Sequence, residues 1–181
     1  MATKITYFAH STTTDNIKGL STGWAQGELS ELGIQQAKEL AQLVKDKNFD
    51  IIICSDLKRA IDSTNIVFAG HTHIVKDERL REANYGDLTL EHKSKFEPDT
   101  TYINQPFPNG ESFKDVEKRI HDLLLDIKDK YNGKNIAFVA HRAPQLALDV
   151  IIKKITWEEA IRQDWREHKK WQPGWEYELK I

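Results

Sequence analysis

The sequence predicts an α/β protein: a mostly parallel central sheet with helices on both faces. Three observations carry that expectation. Strand-like and helix-like segments alternate along the chain. The central strand candidates are unbroken apolar runs, as expected for strands buried on both sides. The helix candidates each gather their apolar residues on one face. Taken in order, "KITYFAH" (4–10) is a first strand, rich in β-branched and aromatic residues. Ser30 can cap a helix through "SELGIQQAKELAQLVKDKN", with Ala37, Leu40, Ala41 and Val44 on one face. "FDIIICSD" is a second buried strand, and Ser55 or Asp56 can cap the helix "LKRAIDSTNIVFAG", which Gly70 would stop. "HTHIVKDERL" is a shorter, more exposed strand. Residues 83–111 show little periodicity and hold three of the five prolines, so they read as a long loop with some helix. The clearest helix is "SFKDVEKRIHDLLLDIKDKYNG", with Val116, Ile120, Leu123, Leu124 and Ile127 on one face and Gly133 at its end. "KNIAFVAH" is another buried strand, helices follow from about Pro144 to Lys169, and "GWEYELKI" alternates as an edge strand should.

Composition narrows the class. A chain of 181 residues suits one domain with a real core, here expected to span 1–181, and no repeat, linker or low-complexity segment divides it. A net charge of −2 gives no field suited to nucleic acid or an anionic membrane. The single cysteine, Cys54, excludes a disulfide framework and reads as a buried, inert thiol. No apolar stretch approaches the roughly 20 residues that span a bilayer, and "MATKITYFAH" lacks a signal-peptide core, so a cytoplasmic protein is expected.

Function is expected at the strand ends, because parallel sheets bind ligands beyond the carboxyl ends of their strands. The first strand ends in His10, and the second in Ser55-Asp56 with Arg59 one helical turn on. The short strand leads to Arg81 and Glu82, and "NIAFVAH" ends in His141, followed by Arg142. Two histidines, a carboxyl group and one or two guanidinium groups would thus share a rim. The cysteine is not there, and no serine sits in a G-x-S-x-G turn. His71 and His73 fall at the start of an exposed strand and are not read as metal ligands. What remains is histidine as nucleophile, with cations and hydroxyls to hold an anion; phosphoryl transfer suits that set best.

These residues resemble the histidine phosphatase superfamily, in its phosphoglycerate mutase-like branch. The family's opening Arg-His-Gly-Glu-Thr, with Asn shortly after, is similar to "AHSTTTDN", which aligns His10 with the phospho-accepting histidine and Thr13 and Asn16 with neutral donors. "STGWAQGELSELGIQQA" resembles a further family stretch and brings in Thr22 and Gly23. "CSDLKRA" is similar to Ser-Asp-Leu-x-Arg-Ala and makes Arg59 a phosphate ligand. "LREANYGD" makes Glu82 the proton donor, "FPNGES" resembles Pro-Gly-Gly-Glu-Ser, and "FVAHRAPQL" makes His141 the second pocket histidine. The resemblance implies a three-layer sandwich and a phosphoric monoester hydrolase acting through phosphohistidine, with no metal or other cofactor. The implied partner is a small phosphorylated metabolite, and the chain would act as a monomer or homodimer. Mutases of this branch carry extra segments around the pocket, so hydrolysis is the expected reaction.

The chain departs from the family pattern at three neighbouring positions. Ala9 stands where the arginine before the nucleophile is expected, Ser11 replaces a glycine and Thr12 a glutamate. Losing one oxyanion donor costs about 3 to 4 kcal/mol of transition-state stabilisation, so activity is expected to be reduced or altered unless something refills the gap. Arg142, or the hydroxyls of Ser11 and Thr13, are the candidates. The alternative is a pseudoenzyme that binds a phosphorylated ligand with little turnover. The segment from Ala83 to Asn109 is expected to cover the pocket. The C-terminal stretch, with four of the five tryptophans, is expected to pack against the sheet edge with its basic residues in solvent.

Overall fold

A computed structural model of the protein describes residues 2–179. In chain order it runs β1 (Thr3–Ala9), α1 (Thr14–Ile17), β2 (Leu20–Ser21), α2 (Glu31–Val44), β3 (Ile51–Cys54), α3 (Lys58–Val67) and β4 (Ile74–Lys76). Next come β5 (Glu91–His92), α4 (Phe113–Lys130), β6 (Asn135–Ala140), α5 (Arg142–Lys153), α6 (Trp157–Arg162), α7 (Trp165–His168) and β7 (Trp175–Leu179). The main sheet has the order β4-β3-β6-β1-β7, parallel throughout except for the antiparallel edge strand β7. The last two residues of the expected final strand, 180 and 181, lie outside the described residues.

Alternation along the strands divides the core in two. Phe8, Ile52, Cys54, Ala137 and Val139 face one way and pack against Ala37, Leu40 and Val44 of α2 and Val67 of α3. Ile5, Tyr7, Ile53, Phe138 and Tyr177 face the other way and meet α4, α5 and α6 through Val116, Ile120, Leu124, Leu146 and Trp157. All four residues of β3 are buried, which is why its sequence shows no polar alternation. The buried face of α4 contains the five residues named from periodicity, extended at its start by Phe113.

Two helix starts differ from expectation. Helix α3 begins at Lys58 after Leu57, which offers no side-chain cap. Ser55 Oγ accepts only from Leu57 N, at 3.3 Å, while Asp56 is drawn away by a two-pronged pairing with Arg81 at 2.7 and 2.5 Å. Helix α5 begins at Arg142, two residues before Pro144, so the proline sits in the first turn where its missing N–H is harmless.

The start of α2 fixes the loop that follows His10. Ser30 N and Oγ both donate to Thr12 O at 3.0 Å, and Thr12 N donates to Gln36 Oε1 at 3.1 Å. Gly33 permits that approach, since a Cβ there would lie 2.0 Å from Thr12 O. We therefore expect Gly33→Ala to cost about 1–3 kcal/mol, the range for forcing extra volume into a packed site. Thermal melting checks this; an unchanged midpoint contradicts the close packing.

Candidate active site

The register of two neighbouring strands brings the two histidines together. Ala9 of β1 pairs with Ala140 of β6, and His10 N donates to Ala140 O at 2.9 Å. The next residues, His10 and His141, therefore leave the sheet on adjacent parallel strands, which run about 4.8 Å apart. Their ring centroids lie 5.0 Å apart, with the ring planes at 56°. His10 Nδ1 is 2.8 Å from Ser11 O, so it carries the proton that it donates to that carbonyl, leaving Nε2 with the lone pair. His141 is buried, and neither of its ring nitrogens meets a hydrogen-bond partner among the described residues.

Arg59, the second residue of α3, is 2% exposed. Its guanidinium donates to Ala25 O at 2.9 Å and Gly23 O at 2.8 Å, with no carboxylate within hydrogen-bonding distance. The closeness of this charge matters to both rings. Burial, then the charge of Arg59, pushes His10 down to about 3. Burial, followed by Arg59 and His10, drives His141 well below the ordinary histidine value. The same surroundings disfavour a proton on either imidazole.

The sign of the resulting pH dependence follows from linkage. An unfolded histidine titrates near 6.5, so between about 6.5 and the folded value the unfolded chain binds more protons and stability rises with pH. Without an anion present, the melting temperature should fall as pH drops below about 6.5, and His10→Asn should reduce the steepness of that fall. Equal steepness in both proteins contradicts a neutral His10.

Glu82 occupies the N-terminus of α5. Its Oε1 accepts from Ala143 N and Ala83 N, both at 2.9 Å, and its Oε2 accepts from Arg142 N at 3.1 Å. A carboxylate from far away in the chain thus satisfies the first N–H groups of that helix. The chain around Glu82 is clamped in turn. Arg119 pairs with Glu111, and its guanidinium donates to the carbonyls of Arg79, Arg81 and Glu82 at 2.5, 2.8 and 3.0 Å. Glu111 Oε2 accepts from Asn84 N at 2.9 Å, and Trp24 Nε1 donates to Glu82 O at 2.7 Å. Arg119→Ala should therefore lower kcat by about 10-fold to 10²-fold, the scale for small misplacements of a reacting group. Steady-state kinetics reads this, and full activity in that variant would show that the clamp is irrelevant.

These groups border one cavity of about 1010 Å³, lined among others by Ala9, His10, Arg59, Glu82, His141 and Arg142. Asn16, Thr22 and Gly23 also line it; Ser11 and Thr13 do not. Thr13 is fully buried and caps α1, its hydroxyl accepting from Asn16 N while Asn16 Oδ1 accepts from Thr13 N. Ser11 N donates to Ser63 Oγ at 3.0 Å. Thr22 Oγ1 donates to Asp15, and Gly23 supplies a carbonyl to Arg59. Arg142 reaches the wall, with its guanidinium held by Asp164 at 2.5 Å and Asp99 at 2.8 Å. Arg81 and Asp56 pair with each other, and Arg81 lies 4.8 Å over the Trp24 ring. His71 and His73 turn to the carbonyls of Phe49 and Asp50.

The segment from Ala83 to Asn109 does line the cavity, through Tyr85, Lys93, Phe96 and Asp99. The C-terminal stretch corrects an expectation. Trp165 stacks on Trp175 at 4.9 Å, as packing against the edge strand requires. However, Arg162, Trp165 and Arg166 also line the cavity, so these basic residues do not form a purely solvated face. Spacing hid this, because α6 and α7 are too short to show a periodic face. Trp24, Glu111 and Arg119 are not among the expected site residues, although "STGWAQGELSELGIQQA" contains Trp24 and "FPNGES" contains Glu111.

The adjacent strand ends of a mostly parallel sheet thus present two imidazoles beside a buried guanidinium and a carboxylate in one cavity. The chain belongs to the histidine phosphatase superfamily (branch 1), which matches residues 8–170. It is 32% identical over 150 residues to the uncharacterized phosphatase PhoE of Bacillus subtilis, covering 81% of this chain and 75% of that protein. It is also 32% identical over 167 residues to a 2,3-bisphosphoglycerate-dependent phosphoglycerate mutase of Lactococcus lactis, covering 87% of this chain and 68% of that one. Among solved structures, Bacillus stearothermophilus YhfR is similar at a TM-score of 0.79 and 26% identity, over 88% of this chain and 84% of that one. No helix among the described residues is long and apolar enough to cross a membrane.

Proposed function

We propose that the protein is a metal-independent phosphatase that hydrolyses a small phosphomonoester through a phosphohistidine on His10. One observation carries this reading. Among the described residues, a buried imidazole with no partner for either nitrogen, His141, and a buried guanidinium bonded only to carbonyls, Arg59, flank the ring of His10. Buried polar groups left in that condition are costly unless they serve a ligand. A phosphoryl group offers His141 and Arg59 the anionic oxygens they lack.

In the first step His10 Nε2 attacks phosphorus and the N–P bond forms as the bond to the leaving oxygen breaks. Glu82 is the general acid that gives a proton to that oxygen. Its Oε2, which accepts one backbone N–H where Oε1 accepts two, is the better placed atom to carry that proton. In the second step Glu82 takes a proton from water, the oxygen of that water attacks phosphorus, and the N–P bond breaks to release inorganic phosphate. Arg59 and His141 hold the equatorial oxygens throughout.

Rapid quenching during turnover of an aryl phosphate tests the proposal. An acid-labile, alkali-stable phosphoryl group on His10 is expected. Steady turnover in which His10 never becomes phosphorylated would end this reading.

A further inference from the structure

We infer that Arg166 is a second phosphoryl-contacting cation of this site, contributed by the C-terminal segment; the inference rests on the phosphatase reading above. Three features of its surroundings argue for that role. First, Arg166 lines the same cavity as His10 and His141, and its side chain keeps 22% of its surface exposed. Second, its guanidinium is fixed before any ligand arrives. It donates to Asp164 Oδ1 at 3.0 Å and to Gln145 Oε1 at 3.1 Å, and its Cζ sits over the Trp165 ring, 4.3 Å from the ring centroid. Gln145 is buried one helical turn beyond His141, and Trp165 Nε1 donates to the same amide oxygen at 3.1 Å. A guanidinium has five N–H donors, so this anchoring leaves others to meet an anion.

Third, the neighbouring charges single this arginine out. Arg142 is matched by two carboxylates, Asp164 and Asp99. Arg166 shares only the remaining oxygen of Asp164, and its other partner is a neutral amide. Ala9, directly before His10, brings only a methyl group to the wall, so β1 supplies no charge there. The positive charge of Arg166 also contributes, with that of Arg59, to the lowered protonation of both imidazoles. The same field that disfavours a proton there favours a phosphoryl dianion.

The test pairs orthovanadate binding with aryl-phosphate hydrolysis in the full chain, using Arg166→Ala, Arg166→Lys and His10→Ala. Removing the guanidinium is expected to weaken vanadate at least about tenfold and lower kcat/KM by about 10²-fold. Arg166→Lys is expected to recover part of both, and millimolar guanidinium ion should rescue Arg166→Ala in part. Folding alone does not predict that rescue, so a variant with a lowered melting temperature remains informative. If wild type binds vanadate and Arg166→Ala binds it equally well, the inference fails while the phosphatase reading stands. If wild type neither binds vanadate nor turns over aryl phosphate, both fall. An aryl-phosphate rate unchanged in His10→Ala removes the phosphohistidine route specifically.

Discussion

Replacing His10 with alanine should lower aryl-phosphate turnover by a factor on the order of 10⁴ or more, the scale seen when a covalent nucleophile is deleted. The expectation follows from a division of labour inside the cavity. In the proposed mechanism His141 and Arg59 hold the phosphoryl group and Glu82 protonates the leaving oxygen, but none replaces Nε2, whose lone pair is left free because Nδ1 is committed to Ser11 O. The variant should keep its fold. The main-chain N–H of His10 that bonds Ala140 O is unaffected, and the ring stands at the strand end with only that one side-chain partner. Anion binding should persist, since Arg59 is anchored to Gly23 and Ala25 independently of the ring. A protein that binds vanadate and hydrolyses nothing is therefore the expected product, and initial rates with a melting curve check it. Equal rates in variant and native protein would favour the binding-module alternative, with background hydrolysis from another source.

The second large effect concerns Glu82→Gln. A glutamine amide can mimic one oxygen of the carboxylate and cannot mimic both. Its carbonyl would serve Ala83 N and Ala143 N, while its NH₂ would face the N–H of Arg142, donor against donor. It also has no proton to give. We expect kcat to fall by about 10² to 10⁴, the usual contribution of a general acid, and to fall most for substrates with poor leaving groups. A good leaving group such as p-nitrophenolate needs little protonation, so its rate should fall least. A loss of the same size across a series of leaving groups would assign Glu82 to positioning α5 instead.

Much of the fold was legible because burial on both faces leaves a plain signature. The runs at β3 and β6 contain no polar alternation, and α2 and α4 repeat apolar residues at helical spacing. The site was legible where residues follow strands directly: His10, Arg59 and His141 are each placed by the strand or helix they terminate or begin. Glu82 was legible as a rim residue, but its contact with α5 was not. That contact spans 61 positions to Ala143 and depends on tertiary closure. For the same reason the start of α5 was placed late, because the group satisfying its first N–H donors is not local. The Arg119–Glu111 clamp and the approach of Arg166 were hidden in another way. Both join segments with no periodic link, and a basic residue among acidic neighbours looks the same in sequence whether it meets solvent or a cavity.

The Ala9–Ala140 rung has a consequence for how this protein can change over time. The two imidazole rings follow adjacent strands in the middle of the sheet, so their spacing is tied to that of the sheet. Much of the remaining cavity wall comes from segments outside the main sheet: residues 12–23, residues 83–111 and the C-terminal turns. Mutations at wall residues away from Arg166 and the Glu82 clamp, such as Lys93 and Phe96, can reshape what enters without touching the strands that carry the two rings, which makes the shape of the cavity mouth the easily altered trait in this architecture.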